Sequence, residues 1–204
     1  MTLRPPTPPS AAPTPGPAPQ DTPPWNAQGE RVLVESPILT LKMRRSSSSL
    51  EPDRSGDFVV VDTPDWVNVI ALTADQRIVL VQQYRHGSDA VTLEIPGGMV
   101  DAGEDFLTAG LRELAEETGF VGEDAAIIGV VAPNPAFMSN RCATVLVRGV
   151  KAAGTTELDE HEEIAVWTPP LADIPDMIRS GRITHALVLA AFHHLHLLQT
   201  APRA

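Results

Sequence analysis

The sequence has little of several things. One cysteine, Cys142, stands among 204 residues, so no internal disulfide can form and a disulfide-stapled secreted fold is excluded. Aromatic residues make up 4%, which leaves few candidates for a base-stacking platform. The longest uninterrupted apolar run is about seven residues, 186–192, whereas a membrane-spanning helix needs about 20. The first residues hold no apolar core of the kind a secretory signal uses. Positive charge is also scarce: 15 Lys and Arg stand against 26 Asp and Glu, a net charge of −11. Nucleic-acid binders carry a basic patch or stripe, and here only Lys42, Arg44 and Arg45 cluster. These absences point to a reducing cytoplasm, with neither a membrane nor a nucleic acid as partner. An acidic protein that handles a phosphorylated ligand needs metal ions or a few well-placed arginines.

What is present divides the chain. Ten of the 20 prolines fall in residues 1–24, which carry only two charged residues, Arg4 and Asp21. That stretch has no hydrophobic periodicity and reads as a disordered, polyproline-like tail. Residues 25–55 read as an extended or stranded arm, with apolar Val32, Val34, Ile38 and Leu41 in a strand pair over 31–42. Ser46 to Ser49 read as a surface turn. Residues 56–200 then alternate strands and helices. Runs at 58–61, 67–72, 78–84 and 91–95 are β-branched and apolar and end at turn residues. Further strands are expected over 126–131, 143–150 and 164–167, and helices over 170–179 and 183–198. The pattern predicts an α/β (α+β) sandwich in one domain.

The informative segment runs from Gly98 to Phe120. Leu107, Leu111 and Leu114 stand at i, i+4 and i+7 and predict a helix over 105–118 with one apolar face. Glu104 and Asp105 suit its positive end, and Gly119 suits its stop. Glu113, Glu116 and Glu117 share a face away from the leucines. Each like-charge pair at that spacing costs roughly 0.2–0.5 kcal/mol even when exposed. A hard divalent cation relieves the repulsion, and carboxylate oxygens suit Mg2+ or Mn2+.

The spacing is more specific than the acidic face alone. Gly98, Glu104, Arg112, Glu113, Glu116, Glu117 and Gly119 fill the fixed places of Gly-x5-Glu-x7-Arg-Glu-U-x-Glu-Glu-x-Gly-U, with Leu114 and Phe120 at the apolar places U. With common residues used at roughly 5–8% each, seven exact matches by chance are very improbable. This pattern resembles the signature of the Nudix hydrolases.

The resemblance implies an α/β/α sandwich with a strand–loop–helix–loop metal site and hydrolysis of a nucleoside diphosphate linked to another group. It makes Glu113, Glu116 and Glu117 metal ligands for Mg2+, or Mn2+, with the Gly97 carbonyl a further one. Turnover would depend on Glu117. Glu104 and Arg112 become supporting residues that orient helix and loop, while Gly98 and Gly119 allow the tight entry and exit. Bound cations reconcile a charge of −11 with an anionic substrate, because they neutralise developing charge and activate water.

Features outside the signature are similar to those of the ADP-ribose pyrophosphatase branch. Gln82-Gln83-Tyr84-Arg85 precedes Leu93-Glu94-Ile95-Pro96-Gly97-Gly98, and the resemblance makes Arg85 a phosphate contact. Pro135, 16 residues beyond Gly119, is the branch's marker position, although Ala136 follows where a glycine is usual. Glu160 or Glu162, in an acidic loop, would be the general base. Trp25, Trp66 and Phe137 are candidate base stackers. The segment 31–42 resembles the strands by which such enzymes pair, which implies a homodimer. The expected reaction is ADP-ribose to AMP and ribose 5-phosphate. Another nucleotide sugar such as GDP-mannose, a dinucleoside polyphosphate, or a non-catalytic ADP-ribose sensor are the alternatives.

Overall fold

The structure is a computed structural model and describes residues 22–158 and 163–200. Most of the proline-rich tail, with the loop residues Glu160, His161 and Glu162, therefore lies outside the described residues.

Three sheets follow from the strand runs. β1 (Asn26–Glu35), β2 (Thr40–Ser47) and β3 (Ser55–Asp62) form an antiparallel meander. Its cross-strand neighbours carry opposite charges: Glu30 faces Arg44 in register and pairs with it. Two apolar-rich strands form the centre. β4 (Trp66–Thr73) runs parallel to β10 (Cys142–Ala152) and antiparallel to the short β7 (Gly97–Met99). β8 (Phe120–Val121) and β9 (Asp124–Val131) both pair antiparallel with β10. β5 (Leu80–Arg85) lies between β6 (Ala90–Glu94) and β11 (Ala165–Trp167).

Strand alternation gives β4 two buried faces. Val67, Val69 and Ala71 pack with Val145 and Val147 against Ala109 and Leu114 of α1 (Phe106–Thr118). Ile70 and Leu72 point the other way. They meet Ile174 and Met177 of α2 (Ile174–Arg179) and Val188, Ala191, Phe192 and Leu195 of α3 (Ala186–Thr200). Helices thus cover both faces of a mixed sheet, which is the α/β/α sandwich expected. Leu114 has no exposed surface, so truncating it to Ala removes about 2–5 kcal/mol. Among the described residues no helix is long and apolar enough to cross a membrane.

The structure departs from the sequence reading in three places. Ser46 and Ser47 are buried at the end of β2, and Ser48 is buried just beyond it. Register with Gly56 and Ser55 of β3 holds the first two in the meander rather than in a surface turn. The Ser48 hydroxyl accepts from the Leu50 and Glu51 amides and makes the turn one residue later. The stranded arm is longer than 31–42, because charged cross-strand pairs extend it where apolar periodicity stops. The stretch 170–179 opens with a single tighter turn, Leu171–Asp173, before α2 begins.

The meander is tied to the central domain through β3. The Val61 amide donates to the Phe137 carbonyl at 2.7 Å, and Ser139 N donates back to Val61 O at 3.1 Å. Asp62 accepts from Lys42 and, at 2.6 Å, from the Ser139 hydroxyl. These two hydrogen bonds hold the Asp62 carboxyl below its usual range.

Candidate active site

α1 is fixed at both ends by its own sequence. The Asp105 carboxylate caps it, accepting from Leu107 N at 2.9 Å and Thr108 N at 3.0 Å, which satisfies amides that a helix start leaves open. Gly119 ends it with φ of 68°, a left-handed conformation that glycine adopts without strain. Its amide closes on Ala115 O at 2.8 Å.

The acidic face of α1 lies against β7. Glu117 is 3% exposed and accepts from the Gly97 amide at 2.9 Å. Gly98 faces Glu113 so closely that an added Cβ would lie 2.6 Å from Glu113 Cδ. Gly97 is tighter still, with Asn68 Oδ1 2.9 Å and the Val67 carbonyl closer yet to the place of a Cβ. Both glycines are therefore set by close approach: strand β4 lies on one side and the carboxylates on the other.

Arg112 gathers three of the carboxylates. Its Nε and Nη2 reach Glu104 at 3.1 and 3.0 Å, and Nη1 reaches Glu113 and Glu116 at 2.9 Å each. Nη2 also donates to the Met99 carbonyl at 3.0 Å, tying helix to loop. Hydrogen bonding to Glu104, against the opposing effect of burial and with Glu116 and Glu113 adding, raises the Arg112 pKa above its usual value. The same contact holds Glu104 below its usual range. Glu104 and Arg112 thus join the helix to the loop before it.

The balance of charge bears on a metal. Glu104, Glu113 and Glu116 share one guanidinium, and Glu117 adds a fourth carboxylate on the loop amide. That donor set is oxygen-rich and net negative, which fits hard divalent cations. As the side chains stand, no three His, Cys, Asp or Glu side chains among the described residues converge on one point. Arg112 sits among Glu104, Glu113 and Glu116 instead. The residues fit a cation in chemistry, and holding one calls for Glu113 and Glu116 to turn from the guanidinium.

β7 also borders a cleft of about 620 Å3. Its lining includes Trp66, Asn68, Arg85, Glu94, Gly97 and His185. Glu94 is 2% exposed, and its carboxylate accepts from Arg85 Nε at 2.8 Å and Nη2 at 2.9 Å, and from Thr92 Oγ1 at 2.6 Å. Burial pushes the Glu94 carboxyl up, but the Arg85 and Thr92 hydrogen bonds outweigh it and hold the group below its usual range. Arg85 thus stands in the cleft with its charge held by a two-point ion pair, a planar arrangement suited to guanidinium.

A NUDIX domain matches residues 63–192. The chain belongs to that family. The match covers the central domain and begins just after the meander ends. Among its relatives, a methanol dehydrogenase activator of Bacillus methanolicus is 32% identical over 68% of this chain and 75% of that protein. An ADP-ribose pyrophosphatase of Bacillus subtilis is 30% identical with the same coverage. The crystal structure of an ADP compounds hydrolase superposes with a TM-score of 0.77 at 19% identity, covering 89% of this chain and 98% of that one, which shows the shared fold.

Arg85, Gly97 and Gly98 line the cleft, and Glu113 and Glu117 stand directly behind those glycines. Trp66 also lines it, but Trp25, Pro135 and Phe137 are not among its lining residues. Trp25 stacks edge-on against Phe58 of β3 instead, and Phe137 docks on Val61. Glu160 and Glu162 lie outside the described residues. Sequence reading gave no role to Glu94, Asn68 or His185. Glu94 could have been flagged as an acid in an otherwise apolar strand end, Leu93-Glu94-Ile95, which in a buried strand demands a partner.

Proposed function

We propose that this Nudix pyrophosphohydrolase cleaves a nucleoside diphosphate linked to a sugar, with ADP-ribose converted to AMP and ribose 5-phosphate. The observation that carries the reading is the placement of Arg85 in a cleft that ends at the Gly97–Gly98 loop and the α1 carboxylates. The ADP-ribose pyrophosphatase relatives support the choice of substrate.

Arg85 receives a phosphate on the guanidinium edge turned away from Glu94, and Glu94 fixes its angle. Glu113, Glu116, Glu117 and the Gly97 carbonyl would hold Mg2+, which supplies charge neutralisation at the phosphates and a more acidic water when bound. Arg112 gathers Glu104, Glu113 and Glu116 on one guanidinium and orients α1 against the loop. Glu160, or Glu162, would accept the proton of the attacking water. Trp66 and Met99 give the cleft an apolar wall suited to a base. The unpaired Cys142 is in keeping with a cytoplasmic site of action.

A homodimer belongs to the same reading. All ten residues of β1 are exposed, and Val32, Val34, Phe58 and Val59 leave apolar surface uncovered on the meander. β1 is also an edge strand of the meander, and an uncovered edge is open to pairing with another chain. Light scattering after size exclusion tests it: twice the chain mass is expected, and a monomer whose mass does not change with concentration refutes it.

The test of the chemistry is Glu117→Gln, assayed with ADP-ribose and Mg2+. Turnover falls by at least about 100-fold while the thermal midpoint stays within a few degrees. Unchanged turnover sinks the assignment of the α1 carboxylates.

A further inference from the structure

The cluster around Glu94 has one member whose position the proposed reaction does not explain. A carboxylate offers about four acceptor sites. Glu94 fills three, two on Oε1 and one on Oε2. Beside the open site on Oε2 stands His185 Nδ1, 3.9 Å away, about 0.7 Å beyond hydrogen-bond range. That Nδ1 atom is buried and has no hydrogen-bond partner among the described residues. Leaving a buried polar atom unsatisfied costs about 1–3 kcal/mol, so a short movement that joins the two is favoured.

His185 directly precedes α3. Thr184, His185, Ala186 and Leu187 together form one wall of the cleft, so a shift of that turn toward Glu94 also narrows the cleft. Arg85 gives its Nε and Nη2 edge to Glu94. A phosphate on the opposite edge draws on the same positive charge and weakens the hold on Glu94. The carboxylate then needs a further donor, and an Nδ1–H of His185 supplies one in either the neutral or the charged ring.

We propose that His185 is a positioning residue for phosphate binding, closing on Glu94 when the cleft is filled and so fixing the carboxylate that aims Arg85. This rests on the reading of Arg85 as the phosphate contact. No bond is made or broken and no proton changes owner. The consequence is a binding effect, not an effect on the chemical step.

The experiment measures kcat and KM for ADP-ribose with Mg2+ in the wild type, His185→Leu, His185→Asn, Glu94→Gln and the His185→Leu/Glu94→Gln pair. His185→Leu raises KM about tenfold, the worth of one charge-assisted hydrogen bond, with kcat within about twofold. His185→Asn, whose amide nitrogen takes the place of Nδ1, keeps KM within about threefold. In the Glu94→Gln background, His185→Leu adds nothing. An unchanged KM in His185→Leu, or full additivity in the pair, overturns the proposal.

A second arm needs no substrate. Urea unfolding compares His185→Leu with and without Arg85→Met. Once Arg85 is removed, Glu94 turns to His185, so His185→Leu lowers the midpoint more in the Arg85→Met background than beside an intact Arg85. Equal shifts in both backgrounds overturn the proposal. A wild type that hydrolyses no nucleoside diphosphate derivative refutes the proposed function instead, and the unfolding arm then decides the His185–Glu94 pairing by itself.

Discussion

Arg112→Met is the perturbation whose consequences the structure defines most closely. The methionine keeps much of the stem's volume and removes the guanidinium. Five hydrogen bonds go with it: two to Glu104, one each to Glu113 and Glu116, and one to the Met99 carbonyl. Their energies do not add, because all share one charge and the Arg112 side chain is 28% exposed. The larger effect is on what remains. Glu104 and Glu113 have side chains only 12% and 13% exposed, and both are left facing other carboxylates. Removing one partner of a buried ion pair costs about 3–5 kcal/mol, and partial solvation lowers that here to about 3 kcal/mol. For a chain of this length that is a fall of about 6–12 °C in thermal midpoint. The assay is thermal and urea unfolding of wild type and variant in EDTA, then in Mg2+. The ion should recover more stability in the variant than in the wild type, because it replaces the lost positive charge among the same carboxylates. A loss below about 1 kcal/mol, or equal stabilisation of both proteins by Mg2+, would refute the reasoning that Arg112 balances the charge of this face.

Other expectations follow from steric and protonic details. Gly98→Ala places a Cβ against the Glu113 carboxylate, so turnover of ADP-ribose falls at least about tenfold while circular dichroism is unchanged; wild-type rates would show that Glu113 can yield freely. Gly129→Ala on β9 drives a Cβ into the His194 ring, for a loss of about 1–3 kcal/mol in urea unfolding. His194→Ala added to it should recover much of that loss, and strict additivity would contradict the contact. Burial, with the Asp65 charge adding, pushes the Cys142 thiol up to about 12. The folded chain keeps that proton where the unfolded chain, with its thiol at about 9, releases it, so stability declines as pH rises through that window. Native protein at pH 8 should accordingly resist iodoacetamide and label fully in urea; fast native labelling would contradict the burial.

Local signals made the acidic helix legible. The Asp105 cap, the leucine stripe and Gly119 each act within a few residues, so the sequence specifies α1 and the face its glutamates occupy. The two glycines before it were legible as a break in the strand, but the tightness at Gly97 comes from Val67 and Asn68, on a strand some thirty residues earlier, and that at Gly98 from Glu113 on the helix. The Arg85–Glu94 pair was not legible. Its members lie on neighbouring strands, and only the hairpin register of β5 and β6 sets them side by side. His185 reads as an ordinary polar residue at a helix start, and its meaning depends on α3 packing over β6's end. The serine run failed for a related reason. Serines favour turns on their own, yet pairing on both sides of β2 keeps Ser46 and Ser47 inside a sheet. Pro135 and Phe137 were read as part of the binding site; neither lines the cleft of the single chain, and the Phe137 carbonyl accepts from Val61 of the meander, whose place periodicity alone could not fix.

Everything proposed for the cleft turns on hydrolysis of a nucleoside diphosphate-linked substrate beside Arg85. The most direct measurement compares ADP-ribose, GDP-mannose, diadenosine polyphosphates, NADH and a deoxynucleoside triphosphate by kcat/KM with Mg2+, with product identification and Glu117→Gln as control. The expected result is highest kcat/KM for ADP-ribose, AMP and ribose 5-phosphate as products, and loss of that activity in the variant. Tight binding of one of these ligands with no turnover of any, or equal turnover by wild type and Glu117→Gln, would contradict it.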